Sequence, residues 1–447
     1  MLSTPYAFFC LFMNQSLRWV MLGLLTIRTA MAQTASSTGG ASAAPVFNYD
    51  EEKVGTYTLP DLMLTTSGKR VTSRADWAGR RAELLKLFAD NVYGRTPSQL
   101  VKLRFQTTSV EPSALNGLAV RKQVSIFFVD YQQLPPIQVL LYVPKGRTKP
   151  SPVFLGLNFC GNHCVTTEPD IPLSTQWVFN GDGGVSANNR ATEKARGMQE
   201  RRWPLATILK RGYALATAYY GDIEPDHPTG WRTGIRSVLG DTARYGDSQA
   251  SEWGAIGAWA WGMSRIMDYL QTDPSIDARR VILMGHSRIG KAAVWAGAQD
   301  ERFAAVVSNE SGEGGAALAR RWYGETVERL NTSFPHWFTG RYRTYNQNVA
   351  GLPVDQHEFL ALIAPRPLYI ASADGDQWSD PKGEFMGALA AEPAYKLFGK
   401  MGLGTATFPG LNQPVGQTVR YHNRTGKHDV TDYDWAQYLK FADELVR

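Results

Sequence analysis

Several features are scarce in this sequence, and each absence excludes a class of protein. No run of lysine and arginine occurs, although the net charge is +6, so we do not expect a nucleic-acid-binding protein. The apolar run near the N-terminus, residues 19–27, is too short to span a bilayer. Only three cysteines occur. Cys160, Cys164 and the intervening His163 are too few ligands for a metal site, so no metal and no cofactor are predicted.

The two later cysteines allow two states. Cys160 and Cys164 are four residues apart, and a loop this small needs a tight turn to satisfy disulfide geometry. An oxidising compartment would favour the bond. The spacing alone leaves a disulfide and two free thiols equally open.

The N-terminus has the three parts of a secretory signal. Arg18 precedes the apolar run 19–27, and Ala30-Met31-Ala32 follows it as an A-x-A cleavage site. We predict that residues 1–32 are a signal peptide and that the mature protein is secreted or periplasmic. A start at Met13 would give a signal peptide of more ordinary length.

Residues 33–45 are small and polar and read as a flexible linker. No second linker, repeat or low-complexity segment follows Val46. We therefore expect one catalytic domain over residues 46–447.

Apolar runs of strand length alternate with helical patterns along this domain. Such alternation predicts βαβ units and a mainly parallel sheet with helices on both faces, a three-layer sandwich. In these sheets, sites form beyond the carboxyl ends of the strands. The predicted strands are 137–143, 153–159, 213–219, 281–284, 304–308, 368–373 and 418–423, and the predicted helices include 203–210, 251–270, 291–299, 358–363 and 434–445.

Ser287 is the candidate nucleophile. The apolar strand 281–284 runs into Gly285-His286-Ser287, after which a helix begins. A serine on such a sharp strand-to-helix turn is the nucleophile elbow of the α/β-hydrolase fold, and the helix start offers N–H groups to an oxyanion. The segment departs from G-x-S-x-G, because position 289 is Ile and the second glycine is Gly290. The alternative is that Ser287 only caps the helix.

The histidine of such a site is expected after the last strand. His422 falls within the predicted strand 418–423, whereas His428 lies in the loop before the last helix. His428 is therefore the predicted general base, which takes the serine proton and returns it to the leaving alcohol. The alternative for His428 is a loop residue that bonds a helix end.

The residues themselves do not decide which carboxylate is the acid of the site. Glu310 follows the strand 304–308, and Asp374 and Asp376 follow the strand 368–373. The habit of the fold favours the later strand. An Asp-Gly-Asp segment is also good turn chemistry, so either aspartate could be structural.

The motif segments of this sequence resemble those of the glucuronoyl esterases, carbohydrate esterase family 15. The nucleophile segment 285–291 has a similar shift of the second glycine, and the resemblance extends over about residues 150–435. The other matching segments are 158–163, 308–315, 324–326, 336–338, 364–368, 376–378 and 426–429.

The resemblance implies hydrolysis of esters between 4-O-methyl-glucuronic acid and alcohols, such as the lignin alcohols attached to glucuronoxylan. It implies that Ser287 is the nucleophile, His428 the base and Glu310 the acid, with Asp376 as an alternative acid. On this basis Glu310→Ala should cost more kcat than Asp376→Ala.

The same resemblance places Arg288 in the oxyanion hole and Lys291, Glu325 and Trp378 against the uronate sugar. A fixed cation suits the developing oxyanion. An ammonium can donate to sugar hydroxyls, and an indole can stack on a sugar face. Without the resemblance, Lys291 and Glu325 would be read as exposed helix residues and Trp378 as a packed aromatic at the rim.

Two other functions compete with a glucuronoyl esterase. One is an esterase for another polysaccharide ester, such as acetyl xylan, and the other is a non-catalytic carbohydrate-binding relative on the same fold. The expected partner is a glucuronoxylan or lignin–carbohydrate ester. We expect no nucleic-acid partner, no membrane association after signal cleavage, and a monomer.

Overall fold

The computed structural model describes residues 47–180 and 186–446. The predicted signal peptide and linker lie outside the described residues, which belong to one compact unit. Among the described residues, no helix has the length and apolar character needed to cross a membrane.

Strands and helices alternate through most of this unit. The strands are β1 (Leu103–Ser113), β2 (Ala119–Phe128), β3 (Ile137–Pro144), β4 (Ser151–Asn158), β5 (Ser186–Ala187), β6 (Arg190–Ala191), β7 (Ala214–Tyr219), β8 (Ile276–His286), β9 (Ala305–Asn309), β10 (Leu368–Ala373), β11 (Val415–Gly416) and β12 (Val419–Arg424). The helices are α1 (Arg74–Phe88), α2 (Ala114–Gly117), α3 (Leu205–Lys210), α4 (Arg236–Leu239), α5 (Ala255–Leu270), α6 (Arg288–Gln299), α7 (Val327–Ser333), α8 (Gln356–Ala361), α9 (Pro381–Ala390), α10 (Glu392–Lys396) and α11 (Asp432–Leu445).

Ten of these strands form one sheet in the order β1-β2-β3-β7-β4-β8-β9-β10-β12-β11. The strands from β7 to β12 in this order are parallel, whereas β1, β2 and β3 at one edge and β11 at the other pair antiparallel. The parallel core places the carboxyl ends of β8, β9, β10 and β12 side by side.

The sheet is covered on both faces. Along β8, Val281 and Leu283 join one core while Ile282 and Met284 join the other, as the two-residue period of a strand requires. Helices α5, α6 and α8 pack on the first face, and α3 and α11 pack on the second. The three-layer prediction is confirmed, and the near-continuous apolar strands follow from burial on both sides.

The prediction from the sequence omitted part of the sheet. Strands β1 and β2 lie at its edge and mix polar with apolar residues, so they lack the apolar runs that identified the central strands. The predicted strand 418–423 stops one residue short, because Arg424 ends β12 and its side chain is buried. Cys160 and Cys164 are joined by a disulfide, with Cα atoms 6.1 Å apart.

Candidate active site

Ser287 occupies the turn between β8 and α6. Its backbone has a positive φ of 57° with ψ −132°, and its N–H donates to the carbonyl of Asn309 at 2.9 Å. The side chain makes no capping hydrogen bond to α6, which excludes the alternative that Ser287 only caps the helix. A non-glycine residue in this region is held there by its surroundings and is typical of functional sites.

The two flanking glycines explain the altered motif. A Cβ on Gly285 would meet the carbonyl oxygen of Ile289 at 2.2 Å, so the first turn of α6 closes against position 285. A Cβ on Gly290 would lie 3.0 Å from the Cβ of Ser311. The second glycine is therefore needed where α6 packs against the loop after β9, one position later than in G-x-S-x-G.

His428 lies in the loop between β12 and α11, and its side chain is 37% exposed. Its ring packs on that of His286, the residue before Ser287, with centroids 4.4 Å apart. Within the described ranges no hydrogen bond joins Ser287 to His428. Such bonds commonly tighten only when substrate is bound.

Both predicted acids contact the same imidazole nitrogen. Nδ1 of His428 is 2.6 Å from Oδ2 of Asp376 and 3.1 Å from Oε2 of Glu310. Asp374 does not take part, because its Oδ1 accepts the N–H of Gly426 at 2.7 Å and holds the loop instead. Carboxylates from the ends of β9 and β10 therefore converge on one histidine.

Glu310 is fixed by further contacts. Its Oε1 accepts a hydrogen bond from Arg424 at 2.6 Å, and its Oε2 accepts the N–H of Asp429 at 3.0 Å. The backbone of Glu310 has a positive φ of 47°, as at Ser287. The residues that directly follow the neighbouring strands β8 and β9 thus both have a positive φ, which is strained for a residue other than glycine.

His428, Glu310 and Asp376 shift one another's pKa values. Burial lowers the pKa of His428, but hydrogen bonds and charge from Asp376 and Glu310 outweigh it and raise the pKa to about 9. Burial raises the pKa of Glu310 to about 7 against the opposing effect of His428. Burial also acts to raise the pKa of Asp376, but the hydrogen bond from His428 keeps it below its ordinary value. Asp376 is therefore the more strongly ionised partner at neutral pH.

Arg288, the first residue of α6, is held by a buried carboxylate. Its guanidinium pairs with Asp226, whose other oxygen accepts hydrogen bonds from Nε2 of His336 and Nε1 of Trp337, each at 2.7 Å. Nε of Arg288 is buried and has no hydrogen-bond partner in the described part of the chain. The N–H at Nε is therefore a buried donor that the described residues do not satisfy.

Lys291, Glu325 and Trp378 form a connected chain. Nζ of Lys291 donates to the carbonyls of Ser311 and Glu313, each at 2.6 Å, and to Oε2 of Glu325 at 2.9 Å. Oε1 of Glu325 accepts the indole N–H of Trp378 at 2.5 Å. Lys291 is buried, so its reading as a residue on a solvated helix face is wrong. Its three N–H groups are all engaged within the protein.

One cluster of side chains has the spacing of a metal site. The ligand atoms of His286, Glu310 and His428 lie within 4.8 Å of one another. Glu310 already binds the guanidinium of Arg424, and Nδ1 of His286 is 2.5 Å from Oδ1 of Asn309. Both oxygens of Glu310 are thus engaged by hydrogen-bond donors, Arg424 at Oε1 and Asp429 and His428 at Oε2, so the arrangement suits proton transfer better than metal binding.

Sequence reasoning assigned no role to several residues that support the site. Asp226 and His336 hold Arg288, Arg424 holds Glu310, and His286 packs on His428. His336 lies in one of the segments that carried the family resemblance, which was the available signal for it. Asp226 and Arg424 had no motif to mark them, because their partners are distant in sequence.

The mainly parallel sheet and its strand-to-helix turn define an α/β-hydrolase, and comparisons with known proteins narrow the class. The family model described as "Glucuronyl esterase, fungi" matches residues 244–399. A carbohydrate esterase from an unknown prokaryotic organism is 45% identical over 404 residues, which cover 89% of this chain and 91% of the relative.

Two solved structures are similar over nearly their whole length. A glucuronoyl esterase from Solibacter usitatus has 52% sequence identity and a TM-score of 0.82, with 88% of this chain and 99% of that chain covered. A promiscuous CE15 esterase from a marine bacterial metagenome has 44% identity and a TM-score of 0.84, with 90% and 100% covered. The chain belongs to the glucuronoyl esterase family, carbohydrate esterase family 15, and is a carboxylic ester hydrolase.

Proposed function

We propose that the protein hydrolyses esters of 4-O-methyl-glucuronic acid, including ester links between glucuronoxylan and lignin alcohols, through an acyl-enzyme on Ser287. The observation that carries this proposal is the hydrogen-bonded chain from the buried Lys291 through the partly exposed Glu325 to Trp378, which starts on the helix that follows the nucleophile turn. An esterase for small acyl groups such as acetate has no sugar acid for this chain to bind.

The reaction starts with proton transfer. Nδ1 of His428 faces the two carboxylates, which leaves Nε2 for the proton of Ser287. Oγ of Ser287 attacks the ester carbonyl carbon, and its proton passes to Nε2. The imidazolium is stabilised by Asp376 and Glu310, which is the role of the acid in such triads.

The negative charge develops on the carbonyl oxygen. The free Nε–H of Arg288 is the donor we assign to it, aided by N–H groups at the start of α6. The bond to the alcohol oxygen then breaks, and the alcohol leaves with the proton from His428. Water then adds to the carbonyl carbon of the acyl-enzyme and gives a proton to Nε2 of His428. The bond from that carbon to Oγ of Ser287 breaks, His428 returns the proton to Oγ, and the uronate leaves.

The sugar of the acyl group would lie over Glu325 and Trp378. A carboxylate accepts hydrogen bonds from sugar hydroxyls, and an indole face packs on a pyranose ring. Because the N–H groups of Lys291 are already engaged, we assign it the positioning of Glu325 and of the loop after β9, in place of direct donation to the sugar.

We also propose that the protein acts as a monomer outside the cytoplasm. The disulfide between Cys160 and Cys164 is of the kind that persists in oxidising compartments. The predicted signal peptide supports the same location. N-terminal sequencing of protein from the medium or periplasm, expected to begin at residue 33, tests this, and gel filtration tests the monomer.

Benzyl D-glucuronate tests the activity. We expect the wild type to hydrolyse it with a kcat/KM at least about a hundredfold above that for a benzyl ester of a neutral acid. Ser287→Ala should lower kcat by at least about 10⁴-fold. No hydrolysis of any glucuronate ester would refute the proposal, and acetate release from acetyl xylan that outruns uronate ester cleavage would favour the alternative.

A further inference from the structure

Aromatic side chains continue from Trp378 across the adjacent surface. The ring centroid of Phe47 lies 5.2 Å from that of Trp378, Tyr49 lies 6.3 Å from Phe47, and Tyr323 lies 6.1 Å from Tyr49. Phe47 is 40% exposed and Tyr49 is 51% exposed. We call Trp378, Phe47, Tyr49 and Tyr323 the aromatic strip.

The strip is held in place by the chain segment that carries Phe47 and Tyr49. The buried side chain of Asn48 donates to the carbonyl of Trp322 at 3.1 Å, and the N–H of Gly324 donates to the carbonyl of Asn48 at 2.9 Å. Glu51 accepts a hydrogen bond from the buried Arg321 at 3.0 Å. These contacts fix the segment against the loop before α7.

A cation supports the strip at the end next to the site. The guanidinium carbon of Arg329 lies 5.0 Å from the ring centroid of Phe47 and 5.9 Å from that of Trp378. Phe47 and Trp378 are thereby linked through a common partner. Rings fixed in this way bind a ligand without a large loss of side-chain entropy on binding.

Under the proposed function, the chemistry of the substrate sets the direction in which the polysaccharide leaves the site. The ester alcohol is attached to the carbonyl carbon at Ser287 and leaves from there. The polysaccharide is attached to the uronate through a glycosidic bond on the sugar ring. It therefore leaves the site from the ring side, where Trp378 lies, and the next surface that it meets is Phe47 and Tyr49.

We propose that the aromatic strip binds the neutral pyranose rings of the polysaccharide that bears the esterified uronate. A neutral pyranose has apolar C–H faces that pack on aromatic rings, and the phenol group of Tyr49 can bond hydroxyls, whereas that of Tyr323 already donates to Gln377. This proposal rests on the proposed function and assigns the protein a preference for uronate esters on a glycan chain over esters of the free sugar.

Two substrates with the same alcohol test the strip. One is benzyl glucuronate and the other is the same benzyl ester on a glucuronate linked to a short xylan oligosaccharide. For the wild type we expect kcat/KM to be about three- to tenfold higher for the oligosaccharide. In the variant Phe47→Ala/Tyr49→Ala this ratio should fall to about one. The control Val110→Ala, which removes an exposed apolar side chain on edge strand β1, should keep the wild-type ratio.

The outcomes separate the strip from the activity itself. If the wild type did not hydrolyse benzyl glucuronate, the proposed function would be refuted. Hydrolysis of both substrates with an unchanged ratio in the double variant would refute the strip alone. A third outcome would also overturn the strip. If the kcat/KM lost in the double variant depended on the size of the ester alcohol, in substrates with the same glycan, the strip would bind the alcohol portion and not the glycan.

Discussion

Oδ2 of Asp376 lies 2.6 Å from Nδ1 of His428. Glu310 faces the same nitrogen at the longer distance of 3.1 Å and is engaged by Arg424 as well. One imidazole N–H can be donated strongly to only one of them. We therefore assign the main acid function to Asp376 and a supporting one to Glu310. This is the order that the habit of the fold favours, and it is the reverse of the order that the family resemblance implies.

Amide variants of the two acids test this order. We expect kcat to fall about a hundredfold in Asp376→Asn and about tenfold in Glu310→Gln, because one carboxylate still faces Nδ1 in each single variant. The double variant should lose about 10⁴-fold, as when a triad loses its only acid. Steady-state kinetics on one glucuronate ester measures all three. A larger loss in Glu310→Gln than in Asp376→Asn would restore Glu310 as the main acid.

The pH dependence of kcat/KM should report the raised pKa of His428. His428 acts as a base only when neutral, so activity is low below its pKa and increases as pH rises through it. The carboxylates raise that pKa to about 9, so the acidic limb should lie above the ordinary value of 6.5. Asp376→Asn removes a carboxylate charge, so the limb should move to lower pH by about one unit. A limb that stays in place or moves to higher pH would show that Asp376 does not control His428.

Arg288 should contribute to the transition state more than to substrate binding. Arg288→Ala removes the donor assigned to the oxyanion, so kcat should fall about 10²- to 10³-fold while KM changes by less than about threefold. Arg279→Ala, at an exposed arginine on β8, is the control and should leave both constants unchanged. If KM rises and kcat is retained, Arg288 binds the ground state instead.

Lys291 should stabilise the fold as well as the site. Lys291→Met leaves the carboxylate of Glu325 and two carbonyls without their shared donor, so the free energy of unfolding should fall by about 3–5 kcal/mol. Lys53→Met removes an exposed ion pair with Asp50 and should leave the free energy of unfolding nearly unchanged. Urea denaturation monitored by fluorescence compares the two. Equal losses would mean that the Lys291 network has no structural role.

The central strands could be predicted because each is a short apolar run between polar turns. Strand β10 was predicted with its observed limits, and the others differ by one residue or a few at their ends. Strand β8 was predicted too short, since its first half carries charged residues that remain partly exposed. The edge strands β1 and β2 were missed because their polar residues interrupt the apolar pattern on which the prediction depended.

The site could be predicted wherever its residues lie in local motifs. Ser287 lies between a strand and a helix, and His428 follows the last strand. The chain order alone therefore predicted that both lie near the carboxyl ends of the parallel strands. The supporting residues Asp226 and Arg424 carry no such mark, because each acts on a partner brought to it by folding.

The sequence by itself determined the class of fold, the nucleophile turn and the histidine loop, because hydrophobic period, glycine placement and chain order are local properties. Only the tertiary structure decided how the acids are shared, because strands β9 and β10 are separated by about sixty residues and meet only through parallel pairing. It also decided that Lys291 is buried with all three N–H groups engaged and that Phe47 lies against Trp378. Those contacts depend on distances between segments far apart in the chain, which no local pattern encodes.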